Sequence, residues 1–288
     1  MNNATLITLG DEHVRFLEQA AAYLEHPSWM MRVANMVGKP TEALVHALPG
    51  PAKKLVDYST HKALRVALDW AVRTIPAKQN AMPLRKGRRR HVAMAGLAGA
   101  VGGLYGIAGA AVELPITTTI MLRSIARTAS EAGFDLHEPA TRMECMNVFS
   151  LGSPRIGELE STYLMSRVGT SMAVSQAAKF VASRTAQEVA DAVSRGTAPL
   201  LLRFLDTVAS RFSLVVSEKL AAQAVPIAGA AMGVLLNTAF TDHFNRVAYY
   251  HFGILRMEQM FGKEIVQARY QEIALKDTKN VDSAASGT

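Results

Sequence analysis

The residues from Leu220 to Thr241 form a run without a single charged side chain, and the chain turns polar immediately after it. Inside the run, Gly229 and Gly233 are four residues apart, and Asn237 continues the same row. On an α-helix this row lies along one face, where the missing side chains let a neighbouring helix approach closely. The run therefore predicts a helix whose glycine face contacts a second helix, either of this chain or of a partner within a bilayer.

A second uncharged run covers residues 92–112, in which 13 of the 21 residues are glycine or alanine. Small residues recur at four-residue spacing through Gly102 and Gly106, and we expect Gly109 to join the same helix contact. The run is long enough to cross a bilayer. Because glycine and alanine gain little free energy on transfer into hydrocarbon, however, we expect it to be a marginal membrane span.

Both uncharged runs contain the letters IAGAA, at 107–111 and at 227–231. The two copies are therefore offset by 120 positions. One hypothesis is an old duplication of a helical hairpin, and chance identity in sequence rich in alanine and glycine is the alternative.

The composition favours an all-α fold. Alanine, leucine, valine and methionine supply most of the apolar content, whereas aromatic residues make up only 7% of the chain. Prolines mark most of the expected helix boundaries, because proline lacks the amide hydrogen that a helix interior requires. The pattern predicts helices over about 11–23 and 55–75, one long helix over about 157–196, and another that begins at Pro199.

These elements predict a single multi-helix bundle with two central glycine-rich helical hairpins. We expect a helical extension over residues 1–50 and the main helical domain over residues 51–275. The remaining segment, 276–288, has little to bury and is expected to be disordered.

A compact basic cluster supplies five of the positive charges behind the net charge of +7. Such a cluster beside an apolar segment suits an anionic membrane surface, whereas binding to nucleic acid normally spreads the charge along a face. A solvated loop is the alternative. We therefore expect membrane lipid or a membrane protein as the partner, and no nucleic acid. The cluster comprises Arg85, Lys86, Arg88, Arg89 and Arg90.

The cellular location is predicted from two further features. Cys145 is the only cysteine, which excludes an intrachain disulfide and is typical of a reducing compartment. The first residues lack a basic segment followed by an apolar stretch, so we predict no signal peptide. We expect a cytoplasmic protein that lies peripherally at the inner membrane or is partly inserted into it. The glycine faces also allow a homo-oligomer.

Glu113 stands between two apolar stretches and is a candidate functional residue. If the segment lies in a membrane, an ionisable group needs a partner, and Arg123 is a plausible counter-charge. The alternative is a helix junction, in which Glu113 lies near the N-terminus of a helix that begins at Pro115. In that case the threonines at 117–119 would bond to backbone carbonyls.

Asp242 and His243 follow the run that begins at Leu220 and, with Glu113, are the catalytic candidates of the chain. As neighbours in sequence they point to different sides of a helix, and His243 lies only loosely on one face with His251. The common hydrolase, nucleotide and zinc motifs are absent. A polar helix segment after an apolar one is the preferred interpretation, and we predict no metal ion and no cofactor.

Two long blocks resemble the EcsC family, named after a bacterial protein encoded beside the components of an ABC transporter. Residues 211–262 are similar to the signature of that family, through VSEKLAAQAVP, GAAMG, LLNTAFTDHF and the closing RMEQMFG. Residues 102–136 resemble its glycine-rich segment followed by ELP and threonines. The resemblance implies a helical, membrane-linked bacterial protein associated with transport or secretion. It carries no agreed catalytic residues, although some members are labelled hydrolases or peptidases.

Our first hypothesis is a membrane-associated helical protein that binds lipid or membrane-protein helices through its glycine-rich segments, as an accessory to an ABC transporter or to secretion. A second hypothesis is a soluble helical bundle that binds a lipid or acyl ligand. A hydrolase that uses Glu113, Asp242 or His243 is the third. Whether the protein is an enzyme stays open at this point.

Overall fold

The computed structural model describes residues 9–25, 50–73, 112–152, 162–223 and 230–285. Within these ranges the chain forms nine α-helices and no β-strand, which confirms the all-α prediction. The description excludes the side chains of residues 162, 223, 230–233 and 277–285.

The helices follow one another with short connections in the second half of the chain. In order they are α1 (Asp11–Leu24), α2 (Gly50–Arg73), α3 (112–131), α4 (Pro139–Leu151), α5 (Thr162–Ala182), α6 (Ala186–Ser194), α7 (Pro199–Gln223), α8 (Ala230–Phe261) and α9 (Lys263–Ala285).

Helix α7 lies at the centre of the bundle, where it packs against α2, α4, α5 and α8. Four fully buried phenylalanine rings from α4, α7 and α8 meet there, with ring centroids 4.9 to 5.9 Å apart. Aromatic pairs at these separations add attraction beyond the burial of apolar area. This cluster therefore fixes the α7–α8 hairpin against α4. Its members are Phe149, Phe212, Phe240 and Phe244.

The prediction of one long helix over 157–196 is wrong. The structure has two helices in that region, α5 and α6. Thr185 precedes α6 and accepts a hydrogen bond from the backbone amide of Glu188, whose carboxylate accepts one from the backbone amide of Thr185. This reciprocal capping satisfies amides that would otherwise lack partners at a helix start. The threonine and glutamate thus favour a new helix over continuation of α5.

The change from apolar to polar sequence at Thr241 falls inside helix α8 and does not end it. The helix runs through 32 residues without interruption, and His243 and His251 in its polar part are both buried. The buried polar residues after the apolar run, His243, Asn245 and His251, therefore face the protein interior, whereas Arg246 is exposed. In the part of the chain that the structure describes, every helix is too short or too polar to cross a membrane.

The first helix belongs to the same bundle as the C-terminal helices, since α1 packs against α8 and α9. Gly253 on α8 receives the ring of Phe16, and a Cβ atom at this glycine would lie 2.2 Å from Phe16 Cζ. The close approach depends on the missing side chain. At the other end of the chain, α9 continues as helix to Ala285, within the segment for which the sequence predicts disorder.

Several predicted residues lie outside the described ranges. These are the basic cluster of Arg85, Lys86, Arg88, Arg89 and Arg90, and the helix-contact residues Gly102, Gly106, Gly109 and Gly229. Gly233 and Asn237 both lie on α8.

Candidate functional site

A buried ion pair joins α3 to the α7–α8 hairpin. The Nζ atom of Lys219 lies 2.6 Å from Oε1 of Glu113 and donates a second hydrogen bond to Oδ1 of Asn237 at 2.7 Å. Lys219 is 1% exposed and Glu113 is 5% exposed, while Asn237 is fully buried. Short, charge-assisted bonds of this kind are about twice as strong as neutral ones.

Thr117 completes the group, which we call the polar clamp: Glu113, Thr117, Lys219 and Asn237. The amide nitrogen of Asn237 donates to Oγ1 of Thr117 at 3.4 Å, and that hydroxyl lies 3.5 Å from Oε1 of Glu113. Both distances are at the long limit for hydrogen bonds. The strength of the polar clamp therefore resides mainly in the two short bonds of Lys219.

The third donor position of Lys219 faces an aromatic ring. Its Nζ atom lies 4.9 Å from the centroid of Phe240, one turn along α8 from Asn237. A cation over a ring face is attracted by the electron density of that face. A carboxylate, an amide and a ring thus surround the ammonium group, and all three are held by packed helices.

The partner of Glu113 differs from the counter-charge predicted from the sequence. Arg123 lies on an exposed part of α3, with its guanidinium 5.7 Å from the centroid of the Trp70 ring. The prediction of Arg123 is therefore wrong, because Glu113 points into the bundle and Lys219 neutralises it there. The predicted junction also differs, since Glu113 already lies within α3 before Pro115.

The hydroxyls after Pro115 have three different environments. Thr119 donates to the backbone carbonyl of Pro115 at 2.8 Å, as predicted for a helical threonine. Thr117 belongs to the polar clamp. Thr118 is buried, and its Oγ1 has no hydrogen-bond partner within the described part of the chain.

The polar clamp brings together residues that the sequence distinguished for unrelated reasons. The sequence marked Glu113 as an ionisable group between apolar stretches and Asn237 as a continuation of the row of Gly229 and Gly233. It did not predict a role for Lys219. One signal was available: Glu113 directly follows one uncharged run, and Lys219 directly precedes the other. Thr117 and Asn237 are also 120 positions apart, which is the offset between the two IAGAA copies. Two residues related by this offset are therefore in direct contact.

A second buried network centres on His251 of α8. Its Nε2 lies 2.9 Å from Oε1 of Glu144, and its Nδ1 lies 2.9 Å from the hydroxyl of Tyr163. A carboxylate can only accept, so Nε2 carries the hydrogen and Nδ1 accepts from the phenol. Burial lowers the pKa of His251, which opposes its protonation. The ring is therefore neutral and holds α4, α5 and α8 together.

Glu144, in contrast to the neutral ring of His251, carries a charge. Burial acts to raise its pKa, but hydrogen bonds from His251 and Asn147 and the charge of Arg167 lower it overall. The side chain of Glu144 is 22% exposed, whereas Tyr163 at the other end of the series is buried. Burial also raises the pKa of the Tyr163 phenol. This hydroxyl, imidazole and carboxylate series therefore lacks an accessible nucleophile.

An Arg167–Glu258 pair lies beside this network. The two guanidinium nitrogens of Arg167 donate to the two carboxylate oxygens of Glu258 at 2.8 and 2.9 Å. Gln267 of α9 donates to the same carboxylate at 3.1 Å. Bidentate pairing fixes the relative orientation of two helices. Glu258 thus has a structural role at the end of the sequence block that closes with RMEQMFG.

The remaining catalytic candidates have separate partners. His243 receives a hydrogen bond from Tyr23 at Nδ1 over 3.0 Å and donates through Nε2 to the carbonyl of Gly152 at 2.8 Å. Asp242 pairs with Arg246 one turn along α8. Glu113 belongs to the polar clamp, so these three candidates contribute to three different sets of contacts.

Among the residues that the structure describes, no group of three or more histidine, cysteine, aspartate or glutamate side chains is arranged to hold a metal ion. Cys145 is fully buried, and burial raises the pKa of its thiol.

Comparison with known proteins supplies one match. A model of the EcsC protein family matches residues 11–256, which is most of the chain and includes every residue of the polar clamp. No curated protein and no solved structure matches the chain.

Proposed function

The chain belongs to the EcsC protein family, and we propose that it is a membrane-associated protein whose two glycine-rich segments contact lipid or the helices of a membrane protein. The polar clamp is the observation on which this rests. Glu113 directly follows the run at 92–112 and Lys219 directly precedes the run from Leu220, so their ion pair joins the flanks of both runs.

Exposed apolar side chains beside the polar clamp support the same proposal. Val112 precedes Glu113 and is 66% exposed, and Ile116 on the next turn of α3 is 50% exposed. Leu235, two residues before Asn237 on α8, is also 50% exposed. Val112 and Ile116 lie one turn apart on the same face of α3, and a continuous exposed apolar surface is typical of contact sites for membranes or proteins. These three residues would meet the lipid interface beside the glycine-rich segments.

The basic cluster at 85–90 precedes the first glycine-rich run and supplies the electrostatic part of the proposal. Lysine and arginine near an anionic bilayer each contribute roughly 1 kcal/mol of attraction. Charge attraction alone is weakened by salt, whereas apolar insertion persists. Both contributions together would hold the protein at the cytoplasmic face of the inner membrane.

The family resemblance also suggests the biological setting. An accessory role beside an ABC transporter, or in secretion, would require the glycine faces to contact transmembrane helices. Close approach along small residues is the usual means of helix association within lipid. Recovery of a transporter subunit with the full chain from detergent extracts, lost on Gly229→Leu and Gly233→Leu substitution, would support this role over lipid binding alone.

The test is flotation of the full chain with vesicles of phosphatidylglycerol and phosphatidylethanolamine. We expect binding that survives a high-salt wash, and weaker binding after Val112→Ser, Ile116→Ser and Leu235→Ser are combined. The matched control combines Leu200→Ser with Met260→Ser, which are exposed apolar residues far along α7 and α8 from the polar clamp.

Three results would contradict the proposal. Failure of the wild-type chain to float would remove membrane association, and complete release by salt would limit it to the basic cluster. Monodisperse protein that carries a stoichiometric lipid in mass spectrometry, without vesicle binding, would favour the second hypothesis of a lipid or acyl carrier.

A further inference from the structure

Helix α2 carries more positive charge than any other helix in the described part of the chain. Its 24 residues include five lysine or arginine side chains and two aspartates, a net charge of +3, whereas the other described helices lie between −2 and +2. We infer that the outward face of α2, with the adjoining edge of α7, binds the phosphate groups of an anionic bilayer. The inference rests on the proposed membrane association and adds to it a second contact, separate from the basic cluster at 85–90.

The positive charge of α2 is only partly neutralised within the protein. Asp69 accepts a hydrogen bond from Arg73 at 2.5 Å, and Asp57 lies 3.4 Å from His61. The other four cations of α2 are exposed and, in the part of the chain that the structure describes, have no ion-pair or hydrogen-bond partner. Several exposed cations on α8 and α9, by contrast, pair with carboxylates one turn away. The four cations of α2 are Lys53, Lys54, Lys62 and Arg65.

These cations lie around an exposed aromatic side chain. Lys54, Tyr58 and Lys62 follow one another at four-residue spacing, so they form one row along the outward face of α2. Arg65 continues this face, which thus extends over about 17 Å of helix. Tyr58 is more than half exposed. A tyrosine ring with its polar hydroxyl is common at the interface between water and a bilayer.

The direction of α7 relative to α2 follows from two contacts. His61 on α2 lies 3.4 Å from Asp206 on α7. Arg73 at the end of α2 donates to Gln187 of α6 at 3.3 Å, and only four residues separate α6 from the start of α7. The end of α2 therefore lies near the start of α7, and the two helices run antiparallel.

Helix α7 adds an exposed leucine to the same surface. Lys53 lies eight residues before His61 and Leu214 eight residues after Asp206, so each is on the same helix row as its partner in that contact. Because the helices are antiparallel, Lys53 and Leu214 come to the same end of the helix pair. Leu214 is more than half exposed. We call this group the basic–apolar surface: Lys53, Lys54, Tyr58, Lys62, Arg65 and Leu214.

The combination of unpaired cations with exposed apolar side chains favours a bilayer as the partner. Lysine stems lie along apolar surfaces while their ammonium groups reach toward phosphate. Tyr58 and Leu214 would enter the boundary between headgroups and acyl chains. Each lysine or arginine near an anionic surface raises affinity roughly fivefold. The contact should therefore depend on lipid charge and weaken with salt.

Removal of two charges tests the basic–apolar surface. Binding of the full chain to vesicles of phosphatidylglycerol and phosphatidylethanolamine is compared for wild type and for Lys54→Gln with Lys62→Gln. The matched control, Lys179→Gln with Lys263→Gln, removes two exposed lysines from α5 and α9 and gives the same net charge. We expect the first pair to weaken binding by about tenfold or more and to reduce its salt dependence. The control should change binding by less than about twofold, because distant charges are screened.

A fluorescent label gives an independent result. Tyr58→Cys, in a chain that also carries Cys145→Ala, is labelled with a dye that responds to polarity. We expect a blue shift when phosphatidylglycerol vesicles are added and none with phosphatidylcholine vesicles. Met260→Cys in the same background places the control label on an exposed position near the end of α8, where no shift is expected. An unchanged spectrum of the label at position 58 would overturn the inference.

The other outcomes separate this surface from the proposed function. Equal losses in the two lysine pairs would show an effect of net charge alone and overturn the inference. Wild-type affinity of Lys54→Gln with Lys62→Gln would also overturn it, and membrane association would stand. Tighter binding to a short DNA duplex than to vesicles, lost in the same variant, would assign the surface to nucleic acid instead. If the wild-type chain binds no vesicles, the proposed function fails and this inference fails with it.

Discussion

The hydroxyl of Tyr163 on α5 lies 2.9 Å from Nδ1 of His251 on α8, and both residues are buried. The phenol donates this hydrogen bond because Nε2 of the same ring is occupied with Glu144. Two helices that are far apart in the sequence are thus joined through one imidazole.

Loss of the phenol hydroxyl should destabilise the protein. Tyr163→Phe keeps the ring but leaves Nδ1 of His251 buried without a donor, which costs about 1–3 kcal/mol of unfolding free energy. Tyr249→Phe on the exposed side of α8 is the control and should change the value by less than about 0.5 kcal/mol. Urea unfolding followed by circular dichroism measures both, and equal values would contradict the role of the bond.

Mild acid should weaken the fold through His251. Burial lowers the pKa of this residue below its ordinary value of 6.5, against the effect of Glu144. As pH falls through 6.5, the unfolded chain takes up a proton on this residue while the folded protein does not. The unfolded state then binds more protons, so the free energy of unfolding decreases as pH falls.

The measurement compares wild type with His251→Gln over a series of pH values below neutrality. The variant is less stable throughout but should lose less stability between neutral pH and mildly acidic pH. An unchanged slope in His251→Gln would show that other groups cause the acid sensitivity.

The polar clamp should behave as a coupled pair. Lys219→Met leaves Glu113 buried without its counter-charge, which costs about 3–5 kcal/mol. Adding Glu113→Gln removes that lone charge, so the double variant should be more stable than Lys219→Met alone. A double-mutant cycle from urea unfolding gives the coupling energy. Additive effects of the two substitutions would contradict direct pairing.

The contact between α1 and α8 should depend on the absence of a side chain at Gly253. Gly253→Ala places a Cβ atom 2.2 Å from Cζ of Phe16, so α1 must shift or Phe16 must move. We expect a loss of about 1–3 kcal/mol, and partial recovery when Phe16→Ala is added. Gly50→Ala, where no atom lies within 4 Å of the new Cβ, is the control. Thermal unfolding compares the four proteins.

Cys145 should report unfolding of the core. The thiol is fully buried and its pKa is raised by burial, so little reactive thiolate is present at neutral pH. We expect slow labelling by a thiol reagent in the native protein and rapid labelling in urea. Rapid labelling under native conditions would show that α4 opens more easily than its packing suggests.

The sequence predicted helix boundaries correctly where a local signal determines them. Pro199 begins α7 as expected, because proline fits the first turn of a helix. The division between α5 and α6 also has a local signal, because Thr185 and Glu188 have the spacing of a capping box. The long amphipathic pattern over 157–196 led to the prediction of one continuous helix instead. Here a short-range hydrogen-bond motif determined the structure against a longer periodic pattern.

The candidate site was only partly predictable for a different reason. Glu113 required a counter-charge, and the nearest basic residue in the following helix was Arg123. Distance along the chain was a poor guide, because Arg123 lies on the exposed side of α3 while Lys219 of α7 reaches Glu113 in the interior. The choice between two cations depended on which helices pack together.

By itself, the sequence determined that this chain is helical, that it carries two uncharged glycine-rich runs and that it resembles the EcsC family. These properties depend on local propensity and on residue order, which are present in the chain before it folds. Only the tertiary structure decided that Lys219 neutralises Glu113 and that His251 joins Glu144 to Tyr163. Charge and hydrogen-bond partners are selected by the packing of helices that are distant in sequence, and desolvation penalises every buried polar group left without one.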